Sequence, residues 1–283
     1  MKHFFSFLFI TLFFIACKKE EAFINQPLAE QTMTNVSYGP DPAQKMDIYL
    51  PANRTTTDTK IFIMIHGGAW SSGDKTELND YIPVFKQRLS NYAIFNINYR
   101  LAVLPGTNLF PAQENDVKTA FDFIMGKAGD YKFNPAKLAV LGASAGGHLA
   151  LLQSYKNSTP KVKALVDMFG PTDMVTLYNT STPLAQAGLQ SLLAGTPITN
   201  PSLYQTSSPI QYVTAQSPPT LILHGGVDPL VPIAQSNALK TKLQAMGASV
   251  QMVTYPLEGH GWTGPSLNDT YDKITAFLLA NNQ

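Results

Sequence analysis

Short apolar runs separated by polar turns and amphipathic stretches set the pattern of this chain from Val36 onward. Lys45–Leu50, Ile61–Ile65, Tyr92–Tyr99, Leu138–Leu141, Ala164–Met168, Leu221–His224 and Ser249–Tyr255 read as strands, with Asn35–Tyr38 as an opening one. Gly39-Pro40-Asp41-Pro42 marks the turn between the first two. Helical stretches fall at Leu78–Leu89, at Gln113–Lys127 (Val117, Ala120, Phe121 and Ile124 on one face), from the residues after Ser144 to about Tyr155, and at Asn268–Leu279. Strands alternating with helices predict an α/β fold with a mostly parallel, eight-stranded sheet and crossover helices on both faces. No repeat and no second apolar core interrupts it, so a single domain over residues 35–283 is expected.

The first residues follow a different pattern. Lys2 is followed by an uncharged run from Phe4 to Ala16, too short to span a bilayer and suited to a signal peptide. Phe14-Ile15-Ala16-Cys17 resembles a bacterial lipobox, and Lys18-Lys19-Glu20-Glu21 resembles the acidic export tag of surface lipoproteins. The resemblance implies removal of residues 1–16, lipidation of Cys17, a tether over 17–34, and a membrane anchor in the cell envelope.

Composition narrows the classes. Of 283 residues, 45% are hydrophobic, enough for one sizeable core, and only 14% are charged. Lys+Arg total 20 against Asp+Glu 19, so no global field attracts a nucleic acid. The single cysteine excludes an internal disulfide and a cysteine-rich metal site. The histidines lack metal-ligand spacing as well, so no metal and no cofactor are expected.

The chemistry is carried by Gly142-Ala143-Ser144-Ala145-Gly146, between a strand and a helix. This G-x-S-x-G pattern is a nucleophile elbow: glycines permit the tight turn, and the turn exposes the serine hydroxyl above a helix N-terminus. A serine needs a base, and His260 lies in the loop after the last strand. An orienting carboxylate is expected between them in chain order. Asp228, after Leu221–His224, fits; Asp173 and Glu258 compete. The other histidines suit other tasks, His66 and His224 in His-Gly-Gly motifs at strand ends and His148 as packing on the helix after the elbow.

Together with His66-Gly67-Gly68-Ala69-Trp70 and Asn98-Tyr99-Arg100, these motifs resemble the α/β-hydrolase family, in the esterase/lipase branch related to hormone-sensitive lipase. The HGGxW form is similar to that of bacterial feruloyl-esterase-like proteins and kynurenine formamidases. The resemblance implies an α/β-hydrolase fold with a small cap insertion before the seventh strand. It also implies oxyanion donors at the backbone N–H groups of Gly68, Ala69 and Ala145, and a serine carboxylesterase working through Ser144, His260 and Asp228. From Met174 through Val227 there is no Asp, Glu, Lys or Arg. That segment suits a neutral ester, such as an acetylated or feruloylated carbohydrate, as the partner. An amide hydrolase, and a non-catalytic glycan-binding lipoprotein, are the alternative expectations.

Overall fold

The computed structural model describes residue 1, residues 27–157 and residues 159–283. In chain order the strands are β1 (Gln31–Ser37), β2 (Lys45–Leu50), β3 (Lys60–Ile65), β4 (Tyr92–Ile97), β5 (Leu138–Ala143), β6 (Ala164–Met168), β7 (Thr220–Gly225) and β8 (Val250–Tyr255). The helices are α1 (Tyr81–Arg88), α2 (Ala112–Gly126), α3 (Ala128–Tyr131), α4 (Ala145–Tyr155), α5 (Met174–Thr180), α6 (Pro183–Leu192), α7 (Pro201–Thr206), α8 (Ala234–Ala245) and α9 (Gly264–Asn281). Among the described residues the strands form one eight-stranded sheet in the order β1-β2-β4-β3-β5-β6-β7-β8. β2 pairs antiparallel with β1 and β4, and the remaining pairs are parallel.

Parallel strands buried on both faces require apolar residues at successive positions, and β3 supplies them. Its Ile61, Ile63 and Ile65 pack into a cluster with Val117 and Phe121 of α2 and Leu149 of α4. Phe62 and Met64 point to the opposite face and meet Ile82 and Phe85 of α1 and Ile274 and Phe277 of α9. The side-chain period of two thus divides one sequence run between two cores. A short cap of α5, α6 and α7 stands between β6 and β7, at the place expected for the insertion.

Three expectations need correction. The chain is in strand from Gln31, four residues before the expected domain start, and Leu28 O and Ala29 O already accept bonds from Asn53 N and Arg54 Nη1. The tether over 17–34 therefore does not extend that far. β1 is a mostly exposed edge strand, so its polar residues carry no apolar alternation to announce it. The helix expected at Leu78–Leu89 divides into a 3-10 turn, Lys75–Leu78, and α1, because the Asp74 side chain caps the turn separately. α5, α6, α7 and α8 were not expected as helices. Residues 2–16 of the expected signal peptide and Cys17 lie outside the described residues, and among those described no helix is long and apolar enough to cross a membrane.

Phe62 is fully buried and meets Phe85 edge to face at 5.2 Å between ring centroids. Phe62→Ala is expected to cost about 3–5 kcal/mol of stability, read as a lower urea midpoint.

Candidate active site

β5 ends where α4 begins, and the turn between them is too tight for side chains at its flanks. A Cβ on Gly142 would stand 2.1 Å from Gly146 O, and one on Gly146 would stand 2.2 Å from Ile65 O. Ser144 occupies the apex at φ 54° and ψ −120°, a conformation that L-residues rarely adopt. A neighbouring strand holds it there: Ser144 N donates to the carbonyl of Met168, the last residue of β6, at 2.8 Å.

β5, β6, β7 and β8 are successive neighbours in the sheet, so residues just past their carboxyl ends converge. Ser144 follows β5, Asp228 follows β7, and His260 follows β8. Ser144 Oγ lies 2.8 Å from His260 Nε2, and His260 Nδ1 lies 2.7 Å from Asp228 Oδ2. A carboxylate accepts, so Nδ1 carries the proton and Nε2 is left to accept from the serine hydroxyl. Asp173 instead caps α5, accepting from Val175 N and Thr176 N, and Glu258 accepts from Ser266 Oγ. The competing acids are thereby occupied elsewhere.

Asp228 is held from four directions. Its Oδ1 accepts from Leu230 N at 2.8 Å and Val231 N at 3.0 Å. Oδ2 faces His260 and, at 3.3 Å, His224 Nε2. His224 Nε2 is also 2.8 Å from Val231 O, a carbonyl that only accepts, so this nitrogen carries a proton shared between the two oxygens. Burial pushes the Asp228 carboxyl up, but hydrogen bonds from His224, His260, Val231 and Leu230 outweigh it and hold the group well below the ordinary carboxylate range. The contact of His224 with Asp228 was not foreseen; their spacing of four residues, across the loop after one strand, was the available signal.

The loop His66–Gly73 leaves β3 beside the elbow. Gly67 O accepts from Tyr99 Oη at 2.8 Å and from His66 Nδ1 at 2.8 Å. Because the peptide is trans and planar, the Gly68 N–H points away from those donors. Burial holds His66 neutral, with its imidazole pushed down to about 4, and its ring stacks on Tyr99 at 4.4 Å. Gly68, Ala69 and Trp70 all have positive φ, at 100°, 49° and 60°. Ser71 N and Ser72 N on Gly68 O, and Ala102 N on Trp70 O, fix that shape. Among the described residues, no acceptor is found for the N–H groups of Gly68, Ala69 or Ala145, and all three residues line one cavity with Ser144 and His260.

The other histidine near the site is committed to the scaffold. Trp70 Nε1 donates to His148 Nδ1 at 3.2 Å, and His148 Nε2 donates to Ser207 O at 2.7 Å, past the end of α7. Burial pushes this imidazole down to about 4, so it stays neutral and keeps both bonds. The cavity has a volume of about 590 Å³, with Leu104, Leu177, Leu189 and Leu192 among its apolar lining residues. Among the described residues, no group of three His, Cys, Asp or Glu is placed to hold a metal ion.

With this geometry in view, the sequence profile of the BD-FAE family matches residues 46–243. The chain belongs to the BD-FAE family. BD-FAE proteins are α/β-hydrolases of the esterase type, and the eight-stranded sheet with flanking helices is that fold. The profile spans Ser144 and Asp228 but stops before His260, which the fold brings back to them. Esterase LipC of Mycobacterium tuberculosis is 29% identical over 263 residues, covering 86% of this chain and 64% of LipC. Esterase LipQ of the same organism is 28% identical over 235 residues, 78% of this chain and 54% of LipQ. The chain thus spans less than two thirds of these relatives. Among solved structures, a truncated carbohydrate esterase from gut microbiota superposes with a TM-score of 0.75 at 28% identity, over 88% of this chain and 95% of that one. A bifunctional GH43-CE protein of Bacteroides eggerthii also gives 0.75, at 29% identity, over 88% of this chain and 38% of that one.

Behind the elbow of this BD-FAE chain lies a second buried carboxyl, Asp167. Its Oδ1 accepts from Gly170 N at 3.0 Å, and Oδ2 is buried with no partner among the described residues. Burial pushes it up to about 7, against the opposing effects of His224 and the Gly170 N–H. The folded chain therefore keeps this proton where an unfolded chain, at the ordinary value of 3.8, has lost it. The group's contribution to stability is complete below pH 3.8 and is lost as pH rises to about 7. Urea midpoints measured from pH 4 to 8 are expected to fall less steeply for Asp167→Asn than for the wild type.

Proposed function

We propose that this chain is a serine carboxylic ester hydrolase, with Ser144 as nucleophile, His260 as general base and acid, and Asp228 as the orienting carboxylate. The observation that carries the reading is the unbroken hydrogen-bond path from Ser144 Oγ through both nitrogens of His260 to Asp228, at one wall of the cavity. In the reaction His260 Nε2 takes the hydroxyl proton as Oγ bonds to the ester carbonyl carbon. The carbonyl oxygen becomes an oxyanion and accepts from the N–H groups of Gly68, Ala69 and Ala145, and losing one such donor costs about 10²–10³ in rate. The tetrahedral centre collapses, the C–O bond to the alcohol breaks, and the alcohol leaves with the proton from His260. Water, deprotonated by the same nitrogen, then releases the acid and restores Ser144.

The substrate class in this reading is a neutral ester of a carbohydrate. The likeness to a carbohydrate esterase and the uncharged segment Met174–Val227, whose first part builds the cap, support it. The N-terminal pattern supports anchoring in the bacterial envelope through a lipidated Cys17.

Hydrolysis of 4-nitrophenyl acetate tests the chemistry. Ser144→Ala is expected to lower kcat by about 10⁴-fold or more; a variant as active as the wild type would sink the reading. For the anchor, Cys17→Ser is expected to move the protein from the membrane pellet to the soluble fraction of the producing bacterium.

A further inference from the structure

The cavity straddles the end of the sheet and takes its two walls from different cores. Leu177, Leu189 and Leu192 of the cap belong to the cluster packed on α2 and α4. Leu78 and Tyr81 belong to the cluster on the opposite face, with α1 and α9. The first wall is apolar. The second carries Glu77 and Tyr81, and Glu77 is the sole carboxylate among the residues lining the cavity.

Neither polar group is used by the fold. Among the described residues no hydrogen bond is made by the Glu77 carboxylate or the Tyr81 hydroxyl. The nearest cation in sequence, Lys75, is committed to Asp47 at 3.3 Å and to Asn35 Oδ1 at 3.0 Å, so it does not neutralise Glu77. Glu77 Oε1 lies 3.0 Å from the point where a Cβ on Gly73 would stand, which sets it against the end of the loop that carries Gly68 and Ala69. Glu77 is exposed to solvent. Tyr81 is held edge to face against Tyr271, at 5.1 Å, and offers its ring as well as its hydroxyl.

We infer that Glu77 and Tyr81 form the alcohol subsite, where they hold the hydroxyl groups of a neutral sugar while the acyl group lies on the leucine wall. This rests on the ester-hydrolase reading above. A carboxylate accepts hydrogen bonds from two hydroxyls at once, and a charged acceptor makes the stronger kind of bond. An acyl chain placed against Glu77 would strip water from the charge without replacing it. A sugar replaces that water with its own donors and lays its C–H face on the tyrosine ring. An alcohol that carries its own carboxylate is repelled by the same charge.

The test uses the full-length protein, 4-nitrophenyl acetate and a methyl xyloside acetylated on one hydroxyl. The readout is the ratio of kcat/KM for the acetylated glycoside to that for 4-nitrophenyl acetate, whose leaving group has no hydroxyls to hold. Glu77→Gln is expected to lower this ratio about tenfold through KM for the glycoside, and Tyr81→Phe about threefold. A ratio unchanged in both variants overturns the inference, as does a wild type that cleaves 4-nitrophenyl acetate but not the glycoside. Loss of the ester-hydrolase reading itself looks different: 4-nitrophenyl acetate cleavage is then absent, or indifferent to Ser144→Ala.

Discussion

A single carboxylate, Asp228, organises the far end of the site, and its burial is the constraint that the surrounding structure answers. A buried negative charge is expensive unless donors surround it. Here two backbone N–H groups take one oxygen and two imidazoles take the other. Those donors come from the loop after β7, from the end of β7 itself and from the loop after β8. Satisfying the charge therefore fixes three segments relative to one another, and the tautomer of His260 follows from it. Once Nδ1 is committed, Nε2 faces Ser144 with a free lone pair.

Much of this was legible in the sequence, for a physical reason. The glycines around Ser144 are demanded by contacts near 2 Å, and no other residue type satisfies them. Fully buried parallel strands must be apolar on both faces, so β3 to β7 announce themselves. The residues beyond their ends were then placed by topology alone. Chain order and position after a late strand already favoured Asp228 over Asp173 and Glu258, and the hydrogen-bond partners of the three acids now separate them.

The parts that escaped share another cause: polar contacts replaced apolar periodicity. α8 buries Gln235 and Ser236 beside Leu239 and Leu243. Gln235 ties down Thr172 and Asp173, and Ser236 Oγ lies 2.7 Å from His224 Nδ1. A helix that serves neighbouring loops in this way loses its hydrophobic signature. The cap helices are short and uncharged, and α6 and α7 start at Thr182-Pro183 and Asn200-Pro201, signals that lie in the start residues rather than in an apolar stripe. The first strand was placed late because an exposed edge has no core to declare.

The imidazole of His148 has a mechanical consequence. One nitrogen grips the indole of Trp70 in the loop after β3, and the other grips the carbonyl of Ser207 at the foot of the cap. The ring itself rides on α4, one turn beyond Ser144. The end of α7, the loop of Gly68 and Ala69, and α4 are thus tied together through one aromatic ring. The foot of the cap and the loop of Gly68 and Ala69 therefore share one support, so the shape of the cavity on one side depends on the other.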